Sequence, residues 1–289
     1  MLNPPRIRLI ATDLDGTLLR GDKTIGRAEA AALRGAADAG LILVAATGRQ
    51  PGTVPVDLLA CGVRYLVAAN GAICVDMTSG EILFETEIEA ETVAALAALV
   101  RRVLPEARLS AARDHGRHYV VEPGYADLLL PSERVPADYL SPGTADEVTA
   151  APTLKLTVRH PELSPEQMLE IVGAAGPGEC QLTTSGAPFL EIGGAGVNKA
   201  TGLARLGDLL GIPPAEVAAF GDAGNDVEMI SWAGYGVAMG NATDAAKAVA
   251  DHVTASNDDG GLAAVVEALL AEARSAGRRA GWTRPATTS

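Results

Sequence analysis

Aromatic side chains make up only 3% of this 289-residue chain. Ala, Val and Leu must therefore build most of its core, with less area buried per side chain than aromatics would give. Cysteine is scarce as well. Cys61, Cys74 and Cys180 are odd in number, far apart and without a C-x-x-C pair. That excludes a disulfide framework and a zinc site of the usual spacing, and fits free thiols in a reducing compartment. Positive charge is in deficit, the formal net charge being −13. Such a surface repels nucleic-acid phosphates and anionic lipid heads, so neither nucleic acid nor a membrane is an expected partner. The one locally basic piece, "RSAGRRAGWTRPATTS", lacks apolar periodicity, and 273–289 reads as a frayed, disordered tail. Long apolar runs are missing too. Nothing approaches the roughly 18 residues of a membrane helix, and "MLNPPRIRLIATDLD" meets acids before a signal-peptide core could form. A soluble, cytoplasmic protein is expected. The four His are too scattered for a metal cluster, and "GGAGVNKATG" fits neither G-x-G-x-x-G nor the Gly-Lys pair of a P-loop.

What the chain does have is an alternation of short apolar strands with helices. "RIRLIATD", "LILVAATG" and "YLVAAN" read as buried strands, separated by the helical stretches "EAAALRGAADAG" and "PVDLLACG". Continuous apolar strands of this kind imply a parallel sheet covered on both faces. The pattern changes near residue 75. "ICVD" and "EILFETEI" flank "MTSG" as a hairpin, and Val93, Leu96, Val100 and Leu104 line one face of a following helix. "ARLSAARD", "RHYVVEP" and "TLKLTVRH" read as strands, the last as a half-buried one, while 123–152 is a loop rich in Pro, Gly, Ser and acids. Ser164, Pro165 and Gln167 open a helix with a capping box, and "CQLTTSG" and "PFLEIGG" form a further strand pair. From about Gly196 the parallel pattern returns. The expected organisation is one α/β core, residues 1–81 and 188–272, interrupted by an inserted α+β domain over 82–187.

Two acids, Asp13 and Asp15, stand at the end of the first strand in "ATDLDGTLL", and a second acidic set follows another buried strand in "VAAFGDAGNDVEM". Ligands of open parallel sheets bind beyond the carboxyl ends of the strands. Asp13, Asp15, Asp222 and Asp226 can therefore converge on one edge, joined there by Thr47, Gly48 and Arg49 of "ATGR" and by Lys199. Clustered carboxylates need a hard cation, and Mg²⁺ takes oxygen ligands. A threonine hydroxyl, glycine-flanked backbone N–H groups and a lysine suit a phosphate. Asp13 is placed to attack phosphorus. Asp15 is placed to protonate the departing alkoxide, which requires a pKa raised above that of its neighbours.

Together "DLDGTLL", "ATGR", "NGA", "NKATGLARL", "GDAGNDVEMI", "AGYGVAMGNA" and "SNDDGG", in this order, resemble the haloacid dehalogenase superfamily, and most closely its Cof-like subfamily IIB phosphatases. The resemblance covers nearly all of 7–270. It implies a Rossmann-like core with an inserted α+β cap of the C2B type. It implies Asp13 as nucleophile and Asp15 as general acid and base, with Thr47, Gly48, Lys199 and Asn225 on the phosphoryl group. It also implies Mg²⁺ held by Asp13, the backbone carbonyl of Asp15 and Asp222, with Asp226 behind them. The expected activity is hydrolysis of small phosphorylated metabolites such as sugar phosphates. A phosphosugar mutase of similar architecture and a non-catalytic phosphate-responsive receiver module stay open as alternatives. Discrimination among esters falls to groups touching the leaving alcohol, for which Arg49, Arg113, Arg117 and His118 are the candidates.

Overall fold

A computed structural model describes residues 7–280 apart from 55–56, 131–132, 134 and 136–137, and apart from the side chains of 276–280. In chain order its elements are β1 (Leu9–Thr12), α1 (Arg27–Asp38), β2 (Ile42–Ala46), α2 (Asp57–Ala60), β3 (Tyr65–Ala68), β4 (Ile73–Asp76), β5 (Glu81–Glu85), α3 (Ala90–Val103), β6 (Arg108–Arg113), β7 (His118–Val121), β8 (Leu140–Pro142), α4 (Ala145–Thr149), β9 (Leu156–Arg159), α5 (Pro165–Ala174), β10 (Cys180–Thr183), β11 (Leu190–Gly194), α6 (Lys199–Leu210), β12 (Val217–Gly221), α7 (Val227–Trp232), β13 (Tyr235–Ala238), α8 (Asp244–Val249), β14 (His252–Val253) and α9 (Gly261–Ala280).

The short apolar strands form an eight-stranded sheet in the order β14-β13-β12-β1-β2-β3-β4-β5. It is parallel from β14 to β3, and β4 and β5 extend it as an antiparallel hairpin. Side chains alternate across it. Ile10, Leu43, Leu66, Ala218 and Phe220 pack with Leu33 of α1 and Leu262 and Val266 of α9 on one face. Leu9, Val44, Val67 and Val217 pack with Leu203 and Leu206 of α6 and Met229 of α7 on the other. Burial of both faces explains why these strands are apolar throughout.

The inserted segment builds a second sheet, β10-β11-β9-β6-β7-β8, antiparallel except for the β7–β8 pair. One face is apolar: Leu109, Ala111, Leu156, Val158, Leu190 and Ile192 pack on Val93, Leu96 and Val100 of α3 and Met168 and Val172 of α5. The Ser164–Gln167 capping box opens α5. Sheet membership departs from the expected domain limits. Glu81–Glu85 belongs to the large sheet, because the hairpin pairs on to its edge, and Leu190–Gly194 belongs to the small one. Within the expected loop at 123–152 lie β8 and α4, the latter opened by a Thr144–Glu147 capping box that was visible in "TADE". The expected tail is also corrected. α9 runs on to Ala280, since "AEARSA" contains no helix breaker, and 281–289 lie outside the described residues.

Candidate active site

β1 and β12 pair in parallel at the point where the strand order reverses, so both deliver their carboxyl ends to one crevice. Asp13 follows β1 and donates its backbone N–H to Phe220 O (2.9 Å). Gly16 then turns the chain at φ +86°, a conformation that favours glycine; a Cβ there would lie 2.3 Å from Asp222 Oδ2. Thr17, one residue on, donates its hydroxyl to Asp222 Oδ1 at 2.7 Å. Beyond β12, Asp226 Oδ2 accepts the backbone N–H groups of Asp222 (3.0 Å) and Ala223 (2.9 Å), which fixes the turn.

Lys199, the first residue of α6, joins the two strand ends. Its Nζ donates to Asp13 Oδ1 and to Asp226 Oδ1, both at 2.6 Å, and its side chain is 1% exposed. A lysine is unfavourable at a helix N-terminus, and these two carboxylates outweigh that cost. Burial alone would lower the Lys199 pKa, but Asp13 and Asp226 hold it above its ordinary value. Burial pushes Asp13 well up; Lys199 opposes this, while Asp226 and Asp222 add to it. Burial likewise raises Asp222 to about 6, against the hydrogen bond from Thr17 and with the help of Asp226. Three carboxylates thus stand around one ammonium, which is bonded to two of them.

Oxygens of Asp13, Asp222 and Asp226 all lie within 4.8 Å of one another. This excess of buried negative charge on hard oxygen donors fits a divalent cation. The Asp15 side chain is not in the cluster, so its contribution to a cation would fall to its backbone carbonyl.

Asp15 departs from expectation in its protonation. Burial would raise its pKa, but the Arg49 fork (Nε to Oδ2 2.6 Å, Nη2 to Oδ1 2.8 Å) and Lys23 Nζ (2.8 Å) lower it to about 2. In this arrangement it is an ionised carboxylate, not the protonated acid expected. Thr47 and Gly48 follow β2 at the same crevice, and the Thr47 hydroxyl accepts the Arg49 backbone N–H at 3.1 Å. Asn225 Nδ2 donates to Asn70 Oδ1 (2.9 Å), and Asn70 Nδ2 to Glu191 Oε2 (3.1 Å).

A recess of about 230 Å³ opens beside Lys199, Asn70 and Asn225, walled from the inserted domain by Gln181, Thr183 and Thr184. None of the three cap candidates is among its described lining residues. Arg113 is spent on the backbone carbonyls of Ala112, Glu147, Val148 and Pro152. Arg117 is an exposed side chain 3.6 Å from Asp114. His118 pairs with Arg113 at the end of the β6–β7 hairpin. That hairpin tip braces the two domains, through Gly52 N–H to Gly116 O (3.3 Å) and His115 Nδ1 to Glu85 Oε2 (2.7 Å).

Lys155 and Glu191, from the inserted domain, were not singled out in the sequence. Both are buried and paired with each other, and Lys155 Nζ also donates to Gly48 O at 2.8 Å. The available signal was a single lysine in "TLKLTVRH" and a single glutamate in "PFLEIGG".

A sequence model of the haloacid dehalogenase-like hydrolases matches residues 10–266. The chain belongs to that family. It is a Cof-like phosphatase within it: the HMP-PP phosphatase of Yersinia pseudotuberculosis is 33% identical over 247 residues, 81% of this chain and 84% of the relative. The 5-amino-6-(5-phospho-D-ribitylamino)uracil phosphatase YitU of Bacillus subtilis is 49% identical over 74 residues, 26% of this chain and 27% of that protein. Among solved structures, the subclass IIB sugar phosphatase BT4131 superposes with a TM-score of 0.77 at 25% identity, covering 90% of this chain and 98% of its own. The fold of this haloacid dehalogenase-like phosphatase is therefore the family's Rossmann-like core with an α+β cap. No helix among its described residues is long and apolar enough to cross a membrane.

Proposed function

We propose that this phosphatase hydrolyses small phosphate monoesters with Mg²⁺, through an aspartyl-phosphate formed on Asp13. The observation that carries the reading is the Asp13 carboxylate at the sheet's switch point. Lys199 holds its Oδ1, while its Oδ2 accepts no hydrogen bond from the described residues. Oδ2 attacks phosphorus as the ester P–O bond breaks, and the bonding pair leaves on the alcohol oxygen, which takes a proton from Asp15. Water then attacks phosphorus and passes a proton to Asp15. The bond to Asp13 breaks, releasing inorganic phosphate. Lys199, Thr47, the backbone at Gly48 and Asn225 orient the phosphoryl oxygens. Mg²⁺, held by Asp13, the Asp15 carbonyl and Asp222 with Asp226 in support, would neutralise charge on the phosphoryl group. Asp15 can act as an acid only where Arg49 and Lys23 release it, so Arg49 is placed to govern the acid.

The named relatives act on small phosphorylated compounds, a phosphoribityl compound and a sugar phosphate among them, and that supports the same class of substrate for this chain. The test is a panel of phosphate monoesters, with and without Mg²⁺, read as inorganic phosphate. Wild type should release phosphate only with the metal, and Asp13→Asn should release none and form no covalent phosphoenzyme. Turnover by Asp13→Asn, or an acid-stable phosphoryl adduct on another residue, would overturn the mechanism.

A further inference from the structure

Two stretches of the sequence, "MGNAT" after β13 and "SNDDGG" after β14, supply no group to the reaction above. Both follow strands that run parallel to β1 and β12, so both stand at the same edge of the sheet as Asp13 and Asp222. Their hydrogen bonds run to the two turns that carry those acids. Asn241 Nδ2 donates to Gly16 O at 2.8 Å, and the Thr243 backbone N–H donates to Asp222 O at 2.8 Å. One short loop thus holds the turn after β1 and the turn after β12 together.

The second stretch braces the first. The Asn257 backbone N–H donates to Asn241 Oδ1 at 3.1 Å. With its oxygen taken, Asn241 can present only its amide nitrogen to Gly16, so its orientation is fixed. The Gly240 N–H donates to Ala255 O at 3.0 Å, and a Cβ at 240 would lie 2.9 Å from the Ala255 carbonyl carbon, so glycine there lets the two loops touch. Asn257 Nδ2, which is buried, donates to Leu19 O at 2.8 Å, and the Gly21 N–H donates to Asp258 Oδ1 at 3.0 Å. Four bonds from 241–258 therefore reach 16–21 and the Asp222 turn.

The Asp15 turn needs such holds. Asp222 leaves no room for a side chain at 16, yet glycine is the residue with the most backbone freedom, and it adjoins the peptide that bears the Asp15 carbonyl. Further along, Lys23 reaches Asp15 Oδ1 at 2.8 Å from a backbone at φ +67°, which is unfavourable for a residue with a Cβ. Strain of that kind persists only where the surroundings fix it. The bonds to Leu19 O and Gly21 N hold the arm of the hairpin that leads to Lys23.

We propose that Asn241 and Asn257 are positioning residues of this phosphatase: they set the spacing between the Asp13–Asp15 turn and Asp222 at which both turns can hold one cation. The inference rests on the phosphatase reading above. Asn241 acts on Gly16 directly. Asn257 acts by orienting Asn241 and by holding the hairpin of Lys23. Asn241 is exposed, so removing its side chain should alter folding little. Contacts that orient metal-bearing groups from outside are typically worth about 10–100-fold in metal affinity or activity.

The experiment compares wild type, Asn241→Ala, Asn257→Ala and Ser256→Ala; the Ser256 hydroxyl bonds Asp259 within its own loop at 2.6 Å. Isothermal titration calorimetry gives the Mg²⁺ Kd without any ester, p-nitrophenyl phosphate gives kcat at saturating Mg²⁺, and thermal unfolding in EDTA gives stability. Asn241→Ala should raise Kd about tenfold and lower kcat about tenfold, with a melting temperature within about 2 °C of the wild type. A merely structural role would lower the melting temperature and leave Kd alone. Asn257→Ala should move Kd and kcat the same way and melt lower as well; should it fail to fold, Asn241→Ala decides by itself. Ser256→Ala should match the wild type. An unchanged Kd in Asn241→Ala, or equal losses in Ser256→Ala, would overturn the proposal. Absence of phosphate release from every ester by wild type with Mg²⁺ would instead remove the phosphatase reading, while the calorimetric Kd values would still decide whether Asn241 positions the cation's turns.

Discussion

Replacing Lys199 with Met removes the one ammonium from the acidic cluster while keeping the length of the side chain. In the wild type Nζ lies 2.6 Å from an oxygen of Asp13 and 2.6 Å from one of Asp226, at 1% exposure. Breaking a buried ionic network by deleting one partner costs about 3–5 kcal/mol. At about 2–4 °C per kcal/mol for chains of 150–250 residues, this corresponds to a melting temperature lower by roughly 6–20 °C. The lower half of that range applies to this longer chain and to carboxylates that can take up protons. The decisive reading comes from adding metal. Binding to the folded state alone stabilises by about 2.7 kcal/mol at a hundredfold excess over Kd. The variant carries one more uncompensated negative charge at the cluster, so its Kd for a divalent cation should fall and its gain from Mg²⁺ should exceed that of the wild type. Differential scanning calorimetry in EDTA and then across a Mg²⁺ titration measures both quantities, with sodium chloride at matched ionic strength as control. A loss under 2 °C in EDTA, or a Mg²⁺ gain no larger than in the wild type, would refute the account of a cluster short of positive charge.

Three further outcomes follow from the same geometry. Asp222→Asn should raise the Mg²⁺ concentration for half-maximal rate at least tenfold, and an unchanged titration removes Asp222 from the cation's ligands. Gly16→Ala forces a Cβ to 2.3 Å from Asp222 Oδ2 at φ +86°, so phosphate release should fall at least tenfold and stability by about 1–3 kcal/mol, read by steady-state kinetics and urea unfolding. Arg113→Ala strips the guanidinium from the carbonyls of Glu147 and Val148 at the end of α4. It should destabilise the protein by about 1–3 kcal/mol without altering relative rates among esters, and a change in those relative rates would restore Arg113 as a substrate contact.

Sequence and structure agree wherever local composition and global position carry the same information. The core strands were legible because burial on both faces makes them apolar throughout, and the acids were legible because each set directly follows such a strand. Asp13, Asp222, Asp226 and Lys199 do meet. The protonation state of Asp15 was not legible. It depends on where Arg49 and Lys23 point, 34 and 8 residues away. The cap failed differently. Period-two alternation in "TLKLTVRH" identifies a sheet with one apolar face but not what covers the other: here Tyr125, Glu133 and Phe189 of the inserted domain cover Thr157 and Arg159, and Lys155 reaches the core at Gly48 O. Arg113, Arg117 and His118 were grouped by nearness in sequence, which in a hairpin selects the tip.

The three residues of "TGR" show why a weak motif can hold a site together. Thr47 follows β2, and its hydroxyl closes on the Arg49 backbone N–H. The Gly48 carbonyl takes Lys155 from the cap, and a side chain at that position would begin 3.0 Å from Asn70 Oδ1 and 3.5 Å from Glu191 Oε1. Arg49 extends from the same turn to both oxygens of Asp15, and its Nη1 is pinned by Thr53 O at 2.9 Å. One turn is therefore gripped by the cap at its centre and grips Asp15 at its end. The cap contact at the Gly48 carbonyl and the Arg49 fork that keeps Asp15 ionised thus stand on adjacent residues of one turn, which is why three residues suffice to join β2, the inserted domain and the end of β1.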